Sequence, residues 1–315
     1  MKPYLAALLP LLLAGCRAAP EKEKSPAVLD AQVWGQEGTK PGEFNGPRAI
    51  VSSKKDGFIY VADRASRVSK WSKAGKFISG WMVPVASAGR SEGPEGIAAF
   101  KNGDIAVTNT HAAKVLVYTP QGKFIRTFGG YGTEPGRFLL VTGACVDKDD
   151  FLYLADYGGA FDRISKWTKE GKMVANWPGH GEGPRQFRRP CGLAIAKNGD
   201  LLVADIGNHR IQILDRVTGK YKGQFGPRGR KDGELTYPYG VAVDGVGQIY
   251  TVEYGTHRVQ KWTAEGKWIA SWGGPGRGLG QFANPWGLSV DPDGTVYVAD
   301  TNNHRIQKFK FPDTK

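Results

Sequence analysis

Residues 284–309 read NPWGLSVDPDGTVYVADTNNHRIQKF, and five other stretches repeat the pattern. They are GPRAIVSSKKDGFIYVADRASRVSKW from Gly46, GPEGIAAFKNGDIAVTNTHAAKVLVY from Gly93, VTGACVDKDDFLYLADYGGAFDRISKW from Val141, RPCGLAIAKNGDLLVADIGNHRIQIL from Arg189 and YPYGVAVDGVGQIYTVEYGTHRVQKW from Tyr237. Aligned, they place Pro47, Pro94, Thr142, Pro190, Pro238 and Pro285 in one lead-in column, 47 or 48 residues apart. In the fourth copy GLAIA reads as a first strand, KNGD as a turn, LLVAD as a second strand, IGN as a turn and HRIQIL as a third strand. Gly, Asn and Asp sit at the turns because they tolerate positive φ or bond their own backbone. Short strands at so regular a period are the mark of a β-propeller.

A fourth strand follows as GKFISGW, GKFIRTF, GKMVANW, GKYKGQF and GKWIASW, five times for six copies. The missing one lies at the other end, because VWGQEGTKPGEFNGP from Val33 matches SWGGPGRGLGQFANP from Ser271 nearly position for position. Residues near Ala31 to Trp34 are therefore expected to complete the last blade and leave no open sheet edge. The sequence predicts an all-β fold: a six-bladed β-propeller of four-stranded blades, the last closed by the N-terminal strand. A monomer is expected. The Gly-rich segments recur at blade junctions as W-G-x-x-G-x-x-x-G-x-F and read as connectors.

Ahead of the repeats, Lys2 precedes the apolar run YLAALLPLLL, which ends in Leu13, Ala14, Gly15 and Cys16. The run is too short to span a bilayer and reads as a secretory signal. LAGC resembles the lipobox of bacterial lipoproteins, which implies lipid attachment at Cys16. The expected division is a signal peptide over 1–16, a flexible tether over 17–30 and the propeller over 31–315. The expected place is the bacterial cell envelope, outside the cytoplasm and lipid-anchored to a membrane, or secreted or periplasmic if Cys16 is not acylated. The net charge is +13. In the cytosol that would suggest nucleic acid; outside it an anionic envelope polymer or lipid is the better match. Part of the charge is a solvated ring, since a lysine follows the glycine of five successive turns, at Lys76, Lys123, Lys172, Lys220 and Lys267.

ADIGNHRIQ from Ala204, ADTNNHRIQ from Ala299 and EYGTHRVQ from Glu253 resemble the NHL repeat. The resemblance implies a six-bladed propeller and leaves the chemistry open, because this fold hosts lyases, RNA binders and interaction modules. RNA binding belongs to cytoplasmic members and is not expected of an exported chain.

Two residue columns share the face formed by the lead-ins and the turns between second and third strands. The outer column is Asp63, Asn109, Asp156, Asp205, Glu253 and Asp300, each followed four to seven residues later by a base: Arg67, Lys114, Arg163, Arg210, Arg258 and Arg305. An acid and a base flanking one tight turn can pair across it, so this column reads as scaffold. The inner column, at the axis, is Arg48, Glu95, Gly143, Cys191, Tyr239 and Trp286. Here the copies disagree, and here a ligand is expected. Tyr239 and Trp286 would stack, Arg48 and Glu95 would select charge, and Cys191 would open onto the axis.

No metal site is read. His209, His257 and His304 stand in equivalent places ~10 Å outside the innermost strands at ~4.8 Å per strand, too far apart to share a zinc. The amidating lyases, which the chain resembles in fold, hold zinc with histidines just after the lead-in Pro, and none stands there. A lactonase-like resemblance implies calcium at the axis, where only Glu95 could serve. Cys145 and Cys191 would face an oxidising compartment, but an axial offset of ~6.6 Å plus the gap between blades argues against a disulfide. The reading is an extracytoplasmic module that binds a protein, glycan or small ligand without a cofactor. The alternative is a metal-dependent enzyme, amidating-lyase-like or lactonase-like, with calcium as its cofactor in the second case.

Overall fold

The computed structural model describes residues 28–84 and 93–312; the expected signal peptide, Cys16 and nearly all of the tether lie outside the described residues. Six four-stranded antiparallel sheets follow one another along the chain. Their innermost strands are Pro47–Ser52, Gly96–Ala99, Leu140–Val146, Pro190–Ile195, Pro238–Val243 and Leu288–Val290, each packed against its neighbours around one axis. This is the expected all-β six-bladed propeller. Leu29–Trp34 pairs antiparallel with Arg305–Lys310 and supplies the outer strand of blade six. That strand starts two residues ahead of the expected boundary, with Leu29 paired to Lys310. Trp34 is 5% exposed and lies over the turn of blade one at Gly75 (φ +81), where a Cβ would come within 2.4 Å of the indole. Ring closure is thus a packed joint as well as a hydrogen-bonded one.

Blade three departs from the expected alignment by one residue. Val141 pairs with Asp156 as Pro47 pairs with Asp63 and Pro190 with Asp205. Val141 therefore stands in the lead-in column, and Thr142 takes the place in the inner column that the sequence assigned to Gly143. Gly143 belongs one step further in, with Gly96, Gly192, Gly240 and Gly287, where the innermost strands converge. A Cβ on Gly143 would fall 1.8 Å from the Cys191 carbonyl oxygen, and one on Gly96 would fall 2.0 Å from that of Thr142.

The outer column is a set of clamps. In five blades the arginine Nε donates to the buried acid across the turn at 2.7–3.1 Å: Arg67 to Asp63, Arg163 to Asp156, Arg210 to Asp205, Arg258 to Glu253 and Arg305 to Asp300. The same guanidinium reaches on to a connector carbonyl, of Glu43, Arg137, Gln186, Glu234 and Gln281 respectively. The acid in turn accepts the backbone N–H of Asn45, Leu139, Arg188, Thr236 or Ala283. The partners offset only part of the desolvation cost: burial still raises the carboxyls of Asp63, Asp156, Asp205 and Glu253, that of Asp156 to about 6. Blade two differs: Asn109 donates to the Pro84 carbonyl, and Lys114 is exposed.

The NHL histidines join neighbouring blades. Nδ1 of His209, His257 and His304 accepts the backbone N–H of Tyr237, Asn284 and Gly46 at 3.0–3.1 Å. Those three residues precede the next lead-in proline in left-handed backbone, with φ between 49° and 57°. Blade three has no such histidine, and Asp162 accepts from Arg189 instead. An accepting Nδ1 requires a neutral ring with its proton on Nε2. Burial holds His209 and His257 below the ordinary 6.5, and the Arg228 charge adds to the effect at His209. The stability these rings supply is therefore complete above about pH 6.5 and is lost as pH falls through the depressed values. Urea unfolding should show the wild type losing stability relative to His209→Gln/His257→Gln between about pH 7 and pH 5. A gap that stays constant across this range would contradict the neutral-acceptor role.

Candidate functional site

The inner column does come together at the axis. Arg48 Nη1 lies 3.0 Å from Glu95 Oε1, and the Arg48 guanidinium carbon stands 4.7 Å over the Trp286 ring. Tyr239 and Trp286 meet edge to face with centroids 4.3 Å apart, and Cys191 packs into the same cluster with Ile206 and Tyr254. None of the five expected ligand residues is more than 7% exposed. This differs from the expectation of a ring open to a ligand: the side chains pack on one another and fill most of this end, where a space of about 60 Å³ remains among them and the strands beneath. Glycine at the level beneath in five blades, with Ala49 in the sixth, explains the closeness, since the strands approach there nearer than larger side chains would allow.

Burial, with the Glu95 charge adding to it, pushes the Cys191 thiol up to about 12. Burial also raises the Tyr239 phenol. Neither is ionised near neutral pH. Cys191 and Cys145 are both free thiols. The donor set does not fit a metal: no histidine stands in the column, and the Glu95 carboxylate already holds the Arg48 cation. Among the described residues no three His, Cys, Asp or Glu side chains converge on a common point.

The other end of the axis is open. A cavity of about 690 Å³ narrows inward between the blades, walled by residues 50–52, 97–99, 144–146, 193–195, 241–243 and 288–290 of the innermost strands. Ile, Val, Leu and Ala dominate this wall. Ser289 Oγ accepts the Ser52 backbone N–H and Ser52 Oγ donates to Asp291 at the seam of blades one and six, and Cys145 presents a thiol that burial keeps protonated. Lys54, Lys55, Lys101 and Lys148 stand at the mouth. With the register of blade three corrected, Lys54, Lys101, Lys148 and Lys197 occupy one position in the turn after the first strand of four consecutive blades, all exposed. Gly245 and Pro292 take that position in the other two. The lysines after turn glycines, Lys76, Lys123, Lys172, Lys220 and Lys267, are exposed on the same face farther out.

The carboxylates of this face are engaged within the protein. Asp147 accepts from Tyr153 and Arg216, Asp244 from Tyr250 and three backbone N–H groups, and Asp291 from Tyr297 and Lys73. The ammonium groups of Lys54, Lys55, Lys101, Lys148 and Lys197 pair with no carboxylate among the described residues. The sequence carried a signal for this arc in KKDG, KNGD, KDDF and KNGD. The displaced register of blade three hid it by setting Asp149 where Lys148 belongs.

Two stretches, 187–214 and 282–309, match the NHL repeat model, and both fall on third-strand histidine motifs within the six-bladed ring. The chain is an NHL-repeat β-propeller. Solved structures of similar fold include virginiamycin B lyase from Staphylococcus aureus, at 16% identity over 90% of this chain and all of that one, TM-score 0.61. A gluconolactonase from Xanthomonas campestris matches at 13% over 94% of this chain and all of that one, TM-score 0.66. A chain of a nidogen/laminin complex matches at 17% over 77% and 84%, TM-score 0.60. No curated protein sequence matches. Likeness at these identities shows the fold alone, a fold shared here with two enzymes and a chain of a nidogen/laminin complex.

The sealed end makes a stability prediction. Arg48→Met should cost about 3–5 kcal/mol in urea unfolding by leaving Glu95 buried without its cation, and Arg48→Met/Glu95→Gln should recover more than half. A double variant no more stable than the single one would contradict the pairing.

Proposed function

We propose that this NHL-repeat propeller is a binding module of the cell envelope that takes its ligand through the open end of the axis. One observation carries the reading: the axis is filled at the lead-in face by a buried cluster and opens at the opposite face into a cavity of about 690 Å³. That size lies within the roughly 300–1,000 Å³ of small-molecule sites. A binding role is favoured over catalysis because aliphatic side chains dominate the wall, Ser52 and Ser289 are hydrogen-bonded at a blade seam and burial keeps Cys145 protonated. The expected ligand set Arg48, Glu95, Cys191, Tyr239 and Trp286 becomes, in this reading, the floor that closes the channel.

The envelope placement rests on the LAGC lipobox at Cys16. The fold agrees with it in one respect: Leu29 pairs with Lys310, which pairs with Thr295 beside the turn at Pro292. The chain ahead of Leu29 therefore leaves the propeller from the face that bears the open end, and a lipid anchor there would turn that face toward the membrane.

Two measurements test these statements. The fluorophore 1-anilinonaphthalene-8-sulfonate should bind the native protein at one site, and Ile195→Trp, which fills the channel, should abolish that binding while leaving the unfolding midpoint within a few degrees. Equal binding by the filled variant would overturn the open-end site. Metabolic labelling with palmitate should mark the wild type in a bacterial host and fail with Cys16→Ser; equal labelling of both would overturn the anchor.

A further inference from the structure

We infer that the open end binds a single-chain anionic amphiphile, with its tail in the aliphatic neck and its carboxylate or phosphate head on the arc of Lys54, Lys101 and Lys148. This rests on the open-end reading above and adds the chemistry of the ligand.

The wall decides the tail. From the convergence level at Ile50, Ile97, Leu193, Val241 and Leu288 to the lysine level is four residues, or ~13 Å at ~3.3 Å per residue. Along that length no charged group faces the cavity until Asp147, and Asp147 is 4% exposed and held by Tyr153 and Arg216. A slender hydrocarbon covers the aliphatic side chains of this wall, with about 25 cal/mol gained per Å² of apolar surface covered. Closure of the far end by Arg48, Glu95, Tyr239 and Trp286 sets a floor, so the tail enters from one side only.

The rim decides the head. Three lysines at one turn position on adjacent blades line the mouth from one side; their ammonium groups pair with no carboxylate among the described residues, and the Lys101 backbone N–H donates to Asp150. Gly245 and Pro292 hold the equivalent places on the other side, joined by the hydrogen bond from Gly245 N–H to the Pro292 carbonyl, and Val246 beside them is 68% exposed. The mouth is therefore half cationic and half apolar. A head group with negative charge meets ammonium groups there, while the first methylenes pass Val246. The outer lysines on the same face, Lys76, Lys123 and Lys172, lie away from the axis and add a background potential without a defined contact.

The experiment is isothermal titration of the soluble protein starting at residue 17, wild type and Lys54→Gln/Lys101→Gln/Lys148→Gln, with dodecanoate, dodecylphosphate and dodecanol, each below its micellar concentration or solubility limit. The wild type should bind dodecanoate or dodecylphosphate at one site at least tenfold more tightly than dodecanol. The triple variant should lose that tenfold preference and keep its affinity for dodecanol, and raised salt should reproduce the loss. Whichever head binds more tightly identifies the source, a free fatty carboxylate or a phosphate lipid. Equal binding of anion and alcohol by the wild type would overturn the head-group assignment. Binding of the fluorophore without any of the three C12 ligands would overturn the amphiphile while leaving the open-end site standing. Ile195→Trp serves as the control: it should remove all three ligands, and failure to do so would place them elsewhere.

Discussion

Five of the six blades are tied to the connector that leads into them by a buried carboxylate that cannot be moved without moving three things at once. The acid of the outer column binds the arginine that opens its third strand and the backbone N–H that follows the connector, and the arginine binds the connector's own carbonyl. A tight turn, a strand end and a Gly-rich connector are thereby fixed as one body. The lead-in that follows is aimed at the axis by this body, and the left-handed residue just before it is fixed by a histidine of the preceding blade. Buried ion pairs are weak evidence for stability in themselves; here their effect is geometric, since they set where five of the six innermost strands begin.

The asymmetry of the axis follows from those starting points. Strands that begin at a clamped lead-in and carry glycine at their next level converge there, and bulky residues just above the glycines close the gap. Four residues later the strands have diverged, small aliphatic side chains leave the centre unfilled, and the channel widens to its lysine mouth. Sealed floor and open mouth are thus two consequences of one taper. Divergence among copies, which marks the inner column so clearly in sequence, reflects the packing of a plug in which six unlike side chains fill one irregular space.

The number of blades, the strand order and the closure by the N-terminal strand were all legible, because VWGQEGTKPGEFNGP repeats a junction that otherwise precedes a complete blade. The acid–base pairing of the outer column was legible from spacing across a turn. The role of the histidines was not, because it depends on a left-handed residue in the following blade and no spacing within one copy reveals it. Nor was the burial of Arg48, Glu95, Cys191, Tyr239 and Trp286, since sequence gives their level along the strand and not the width of the channel there. The lysine arc failed for a more local reason. Without a proline, blade three offered Thr142 as a lead-in by its position, whereas the strand pairing selects Val141, and that one step exchanges Lys148 for Asp149.

The most direct test of the account is a crystal structure with 12-bromododecanoate, read from the anomalous signal of bromine. The account places bromine deep in the channel between Leu193 and Leu288, with the carboxylate at Lys54, Lys101 and Lys148. Bromine on the lead-in face beside Trp286 and Arg189, or an empty channel at ligand concentrations that saturate binding in solution, would contradict it.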